Sequence, residues 1–159
     1  MPGLKEIKRR ISSVKSTKQI TKAMKMVAAA KFRKAQGRIT ELKPYAEKMS
    51  QVLSSLACTV EEGHPLLQAR PAKKVEILIL TGDRGLCGAF NTNVMKAGFN
   101  LIRETQKAGK EISLSAIGRK GADLLRRRRF TVRGRWVGLS GRVTYADAQA
   151  IAKDIIENY

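Results

Sequence analysis

Acidic and aromatic side chains are what this sequence has least of. Only 13 Asp and Glu stand against 32 Lys and Arg, a formal net charge of +19. A surplus of that size implies a negatively charged partner or close packing among acidic neighbours. Aromatic residues make up 5% of the chain, so a base-stacking platform has little to be built from. The two cysteines, Cys58 and Cys87, are far apart and fit no metal-ligand spacing; they read as reduced thiols of a cytosolic-type compartment. The single histidine, His64, lies in a Gly-His-Pro loop with no cysteine or carboxylate constellation around it. The residues therefore assemble no catalytic set, no metal site and no cofactor site. Behind Met1 there is no apolar signal core, and no uncharged apolar run approaches the roughly 18 residues that span a bilayer. Any membrane association must go through another protein or through surface charge. What remains is a chain of 159 residues with 43% hydrophobic side chains, enough for a packed core and one domain or slightly more.

The first third reads as one very long helix. Leu4, Ile7, Ile11 and Val14 open a 3-4 spacing that resumes at Ala28 and runs through Phe32, Ala35, Ile39, Leu42, Ala46, Met49, Leu53 and Leu56. Sustained over about seven heptads, this is a coiled-coil seam. Gly37 and Pro44 are its weak points. Pro44 removes a backbone donor and crowds the Thr40 carbonyl, so a kink or an end is expected there. Between Val14 and Ala28 the seam turns polar, with Lys18, Thr21 and Lys25, while Ile20, Met24, Met26 and Val27 move to other faces. A segment apolar on several sides is enclosed on several sides. Two readings stand: an ordinary packed helix whose lysines reach outward, or an axle turning inside an apolar sleeve. Residues 1–43 hold thirteen basic side chains and two acids, Glu6 and Glu41.

The rest reads as an α/β domain. Val75–Leu80 is a near-continuous apolar run suited to a buried parallel strand. A glycine-rich turn, Thr81–Gly88, leads into a helix over about 89–107, with Gly109 as its stop. A strand over 112–117, a short helix over 120–128 and a strand over 130–137 follow. Strand, helix and strand at this spacing form a βαβ unit with a right-handed crossover expected. Thr144 with Asp147 three residues on has the form of a capping box opening a helix through Ile156. The expected fold is thus α/β: a long N-terminal coiled-coil helix over 1–57, a linker over 58–73, and an incomplete Rossmann-like domain with a mainly parallel sheet over 74–159.

Gly82, Gly85 and Gly88 are spaced G-x-x-G-x-x-G, which is neither the dinucleotide fingerprint nor a P-loop. A tight structural turn and a phosphate-facing helix N-terminus are both compatible with it. Cys87 at that terminus has no base partner in view. Arg126-Arg127-Arg128-Arg129 is a basic cluster of the kind that meets nucleic acid or anionic surfaces, yet the aromatics that would interleave with it are missing.

Two stretches are familiar. Ile20-Thr21-Lys22-Ala23-Met24-Lys25-Met26-Val27-Ala28-Ala29-Ala30-Lys31 resembles the N-terminal helix of ATP synthase gamma subunits. Asp83-Arg84-Gly85-Leu86-Cys87-Gly88, directly after an apolar strand, resembles the same family's hallmark turn. Both stand in the family's order and at about its spacing. The resemblance covers essentially the whole chain and weakens from about Phe130.

That resemblance implies a non-catalytic subunit, the central rotor stalk of a proton-translocating F-type ATP synthase, which takes part in ATP synthesis and hydrogen ion transport. The N-terminal helix would pair antiparallel with a C-terminal helix inside a ring of alternating alpha and beta subunits. Met24 and Lys25 match positions facing acidic loops on beta, and Ile20, Val27 and Ala28 would pack the shaft. The α/β domain would be the foot, resting on the membrane c-ring and the epsilon subunit. The subunit would be peripheral on the cytoplasmic face of the bacterial inner membrane, with no span of its own. By the same analogy Gly82, Gly85 and Gly88 form a structural turn, and Arg84 and Cys87 carry no chemistry. The seam has no partner helix within the chain, so a fragment, a truncated product or a shaft completed by another polypeptide is expected. An isolated chain should be unstable or self-associate through Leu4–Leu56. The competing readings are a basic coiled-coil protein that binds nucleic acid and, favoured less, a nucleotide-binding enzyme of the βαβ type.

Overall fold

A computed structural model describes residues 3–59, 65–66, 71–139, 141 and 143–159. His64 and most of the stretch expected as a linker lie outside these residues. The chain divides into two compact units, Met1–Leu67 and Gln68–Tyr159.

The first unit is dominated by one helix, α1 (Leu4–Thr59), of 56 residues. At about 1.5 Å rise per residue it is roughly 80 Å long. Of the kink or end expected at Pro44, the end does not occur: the helix continues through both Gly37 and Pro44. Proline costs a helix interior about 3 kcal/mol, mostly through one lost bond and a local clash. Here Thr40, whose carbonyl loses its donor, is exposed, so water can satisfy that oxygen. Hydroxyls along the helix bond back one turn: Thr17 to the Ser13 carbonyl at 3.0 Å, Thr21 to Thr17 at 2.9 Å and Thr40 to Gln36 at 3.0 Å. They keep their polar groups satisfied without leaving the helical path.

The second unit is a three-stranded parallel sheet in the order β1 (Lys74–Leu80), β2 (Glu111–Ile117), β3 (Gly134–Trp136). The helices α2 (Phe90–Lys107) and α3 (Arg119–Arg127) are the crossovers, and α4 (Tyr145–Glu157) follows β3. Register pairs Ile77 with Leu114 and Ile79 with Ala116. These four residues project from one face and form the core with Met95 and Ile102 of α2 and Ala122 and Leu125 of α3. Both crossover helices therefore cover the same face. Gly109 closes α2 as expected, its N–H donating to the Gln106 carbonyl at 3.0 Å.

The other face carries Glu76 and Ser115. The Ser115 hydroxyl donates to Glu76 Oε1 at 2.5 Å, and Arg133 Nη2 donates to the same oxygen at 2.6 Å. Arg133 also lies 2.8 Å from Asp154 Oδ2. This network ties α4 to the sheet through charge, where a fully apolar contact would have been the simpler solution. Burial alone would raise the Glu76 pKa. The hydrogen bonds from Arg133 and Ser115 and the Arg133 charge outweigh it, so the carboxyl titrates below its ordinary range. The Arg133 guanidinium, bonded to Asp154 and Glu76, is held still more firmly in its charged form.

The expected strand over 130–137 is shorter than its sequence pattern. Phe130 leaves the sheet line to stack on Phe99, ring centroids 5.8 Å apart, and Val132 packs on the core. Pairing with β2 spans only Ser115–Gly134, Ala116–Arg135 and Ile117–Trp136. The capping box at α4 is present in full: Asp147 N–H donates to Thr144 Oγ1 at 3.3 Å, and Thr144 N–H donates to Asp147 Oδ2 at 2.8 Å. That Thr144 N–H and the Thr144 hydroxyl, which donates to Asp147 Oδ2 at 2.7 Å, hold the Asp147 carboxyl below its ordinary pKa.

Candidate functional site

The surface of α1 is the most unusual chemistry in the molecule. Between residues 7 and 40 the sequence has eleven basic side chains and not one acid. The ion pairs of α1 fall outside that stretch, at Arg10–Glu6 (2.8 Å) and Lys43–Glu47 (3.7 Å), the first reaching in only through Arg10. At 3.6 residues per turn, Lys15, Lys18, Lys22 and Lys25 follow one another up a single side of the helix. Like charges three and four residues apart repel, each pair costing a few tenths of a kcal/mol, about 0.2–0.5. This ladder is uncompensated within the helix.

Ile20, Met24 and Val27 lie on the opposite side, with Ala28 at its margin. Ile20 is 58% exposed, Met24 53% and Val27 56%. The helix thus brings Ile20, Met24 and Val27 into one apolar stripe and separates Met24 from its sequence neighbour Lys25 by about 100°. The long seam is equally open: Leu4, Val14, Phe32, Ile39, Leu42 and Leu53 are all more than half exposed. Among the described residues α1 buries no side chain. A helix apolar along its length and basic along one side carries the two halves of a binding surface, a dry stripe and a cationic ladder.

The turn after β1 is a knot of local bonds. Gly82 N–H donates to Asn91 Oδ1 at 2.9 Å, and Asn91 Nδ2 donates to Cys87 Sγ at 3.1 Å. Asp83 Oδ1 accepts from the Arg119 N–H at 2.9 Å and the Gly138 N–H at 3.1 Å. The first of these is the N-terminus of α3, where a phosphate would otherwise be drawn. A carboxylate of the chain itself fills that position and stitches together the loops after all three strands. Thr81 completes the crossing by accepting from the Gly121 N–H at 2.8 Å. Gly118 passes so close to the Thr81 carbonyl, at φ 93°, that no side chain fits. Neither Gly82 nor Gly85 has a positive φ, whereas Gly88 turns at φ 57°. Leu86 also has positive φ, 63°, and is almost fully exposed. Arg84 and Cys87 are both exposed.

The arginine run 126–129 is divided among separate tasks. Arg126 lies 3.7 Å from Asp123, Arg128 stands over the Phe99 ring at 5.6 Å, and Arg129 turns the chain at φ 62°. The two aromatic rings nearest to it are already stacked on one another. Among the described residues no group of three or more His, Cys, Asp or Glu could hold a metal, and no helix is long and apolar enough to cross a membrane. The pairings of Asp83, Glu76, Arg133 and Asp154 escaped the sequence reading because their partners lie tens of residues away. Only the isolated acids, set in so basic a chain, hinted at paired roles.

Comparison with known proteins agrees with the motifs. A family model described as ATP synthase matches residues 3–159. An ATP synthase gamma chain of Trichlorobacter lovleyi is 49% identical over 160 residues, covering 100% of this chain and 55% of the relative. One from Syntrophobacter fumaroxidans is 44% identical over 162 residues, covering 100% and 56%. Among solved structures, a chain in the central stalk/c-ring structure of Tetrahymena thermophila mitochondrial ATP synthase superposes with a TM-score of 0.63 at 27% identity. It covers 86% of this chain and 58% of that one. The chain spans about half the length of the curated relatives it matches. With a family model across nearly every residue and gamma chains as its curated relatives, this chain belongs to the ATP synthase family and corresponds to the N-terminal part of its gamma chains.

Proposed function

We propose that this chain is the shaft-and-foot portion of the central rotor stalk of an F-type ATP synthase, a non-catalytic subunit. In this reading it couples ion flow through the membrane c-ring to conformational changes at the catalytic beta subunits. The observation that carries it is the α1 surface: eleven cations without an acid between residues 7 and 40, opposite an exposed apolar stripe. A shaft turning inside a ring of subunits needs such a surface, dry enough to slide and charged enough to be steered by acidic loops. Met24 and Lys25 are the coupling contacts with beta, on the two different sides of the helix. Ile20, Val27 and Ala28 pack the shaft.

Residues 1–57 form half of an antiparallel coiled coil whose second helix lies along the Leu4–Leu56 seam. Residues 58–73 link it to the foot, 74–159, which meets the epsilon subunit and the c-ring. The Gly82, Gly85 and Gly88 turn is structural, with Asp83 in the anion position of α3. The assembled subunit is peripheral on the cytoplasmic face of a bacterial inner membrane and needs no cofactor or nucleic acid.

The test is a pull-down of this chain with purified alpha and beta subunits at moderate salt, followed by ATP hydrolysis of any complex formed. A defined complex that loses most of its assembly on Met24→Ala with Lys25→Glu is the expected result. If neither subunit associates while duplex DNA binds with steep salt dependence, the basic coiled-coil reading takes its place.

A further inference from the structure

The α/β unit holds a second basic surface, and it is concave. A cleft of about 530 Å³ opens between α2 and α3. Its floor is apolar: Met95 is buried, and Phe99 and Leu124 are half-buried. Its rim carries Lys96 and Arg103 from α2, Lys120 and Arg127 from α3, and Arg128 just beyond α3, all exposed. The one carboxylate of the lining, Asp123, lies 3.7 Å from both Arg126 and Arg135 and is neutralised by them. None of the five rim cations has an ion pair with a carboxylate among the described residues, where Arg103 donates only to Asn100 at 3.4 Å.

Arg128 packs over the Phe99 ring, but packing does not explain why four further cations without a carboxylate partner converge on the same apolar floor. Snorkelling side chains on a solvated helix diverge, whereas these come from two elements and face one hollow. We propose that the α2–α3 cleft binds a small organic polyphosphate that carries an apolar ring, of nucleoside-phosphate size. The volume is in the range of about 300–1,000 Å³ that small-ligand pockets occupy. Three guanidinium forks and two ammonium groups suit an anion of several charges, since arginine meets phosphate oxygens in pairs. The ring lies against Met95 and Leu124, beside Phe99, which already stacks on Phe130 and carries Arg128 over its ring. The site is separate from the Gly82–Gly88 turn, where Asp83 already holds the anion position.

The full chain is titrated calorimetrically with ATP in a chelator at moderate salt, beside adenosine and inorganic triphosphate. Saturable 1:1 binding of ATP, tighter than either fragment, is expected. Lys120→Glu with Arg127→Glu should weaken it by about tenfold or more, while Lys8→Glu with Arg9→Glu on α1 leaves it unchanged. Trp136 fluorescence verifies that each variant is folded. Triphosphate binding as tightly as ATP, an equal loss from the α1 pair, or no saturable binding would each overturn the site. Because Lys120 and Arg127 lie outside α1, capture by alpha and beta subunits tests the rotor reading independently.

Discussion

The two units of this molecule solve the same problem in opposite ways. The α/β unit hides its apolar residues: Ala116 and Leu125 are wholly buried, and Ile102 and Ile79 nearly so. Helix α1 is comparably rich in apolar residues and buries none among the described side chains. Stability in the first case comes from area removed from water, at about 25 cal/mol per Å². In the second, only intrahelical bonds and propensity are at work, and these are marginal in water without tertiary packing. The lesson is that α1 is shaped for a partner while the α/β unit is shaped for itself. Its charge makes the same point, since an uncompensated cationic ladder is a cost until an acidic surface arrives.

That contrast can be broken by core substitution. Leu125→Ala should destabilise the α/β unit by about 4 kcal/mol, read by denaturant unfolding at Trp136. Ile39→Ala, at a residue 67% exposed, should change that transition by less than about 0.5 kcal/mol. An equal effect of the two would mean that α1 is packed in the free chain. Gly118→Ala comes next, at about 3 kcal/mol, because a methyl group meets the Thr81 carbonyl and the backbone is at positive φ. Loss of the cap in Thr144→Ala should cost about 1 kcal/mol and fray only the start of α4, seen as faster amide exchange over its first turn.

The sheet-side network is recognised by its pH dependence rather than by its size. Since the folded Glu76 carboxyl titrates below its unfolded value, its contribution is complete above the ordinary glutamate pKa of about 4.3. It declines as pH falls from there through the lower folded value. Glu76→Gln should flatten the acid side of the stability profile, and an unchanged profile would remove the network from the account.

How much of this was legible depended on the range of the forces involved. The helical seam, the β1 run, the Gly109 stop and the Thr144–Asp147 box were readable because each is set by residues within a few positions. Pro44 ends nothing because its local penalty of about 3 kcal/mol falls within a helix of 56 residues that continues on both sides of it. Phe130 and Val132 misled because their β propensity was real, yet Phe99 and the core offered a better place for them. The α1 face was legible as composition, with Met24 and Lys25 singled out by resemblance alone. Their separation to two sides of the helix was already legible in the periodicity, and what the structure added is that both sides are exposed.

By itself, the sequence determined the two-part character of this protein: a basic, seam-bearing helix and a parallel α/β unit behind it. Periodicity and one-sided charge are properties of neighbouring residues, and no distant contact is needed to express them. Only the tertiary structure decided where Asp83 would go, that Glu76, Ser115, Arg133 and Asp154 would meet across the sheet, and that two helices would turn five cations towards one hollow. Those arrangements join residues tens of positions apart, and they exist only after the parallel strands have paired and their crossovers have packed on one face.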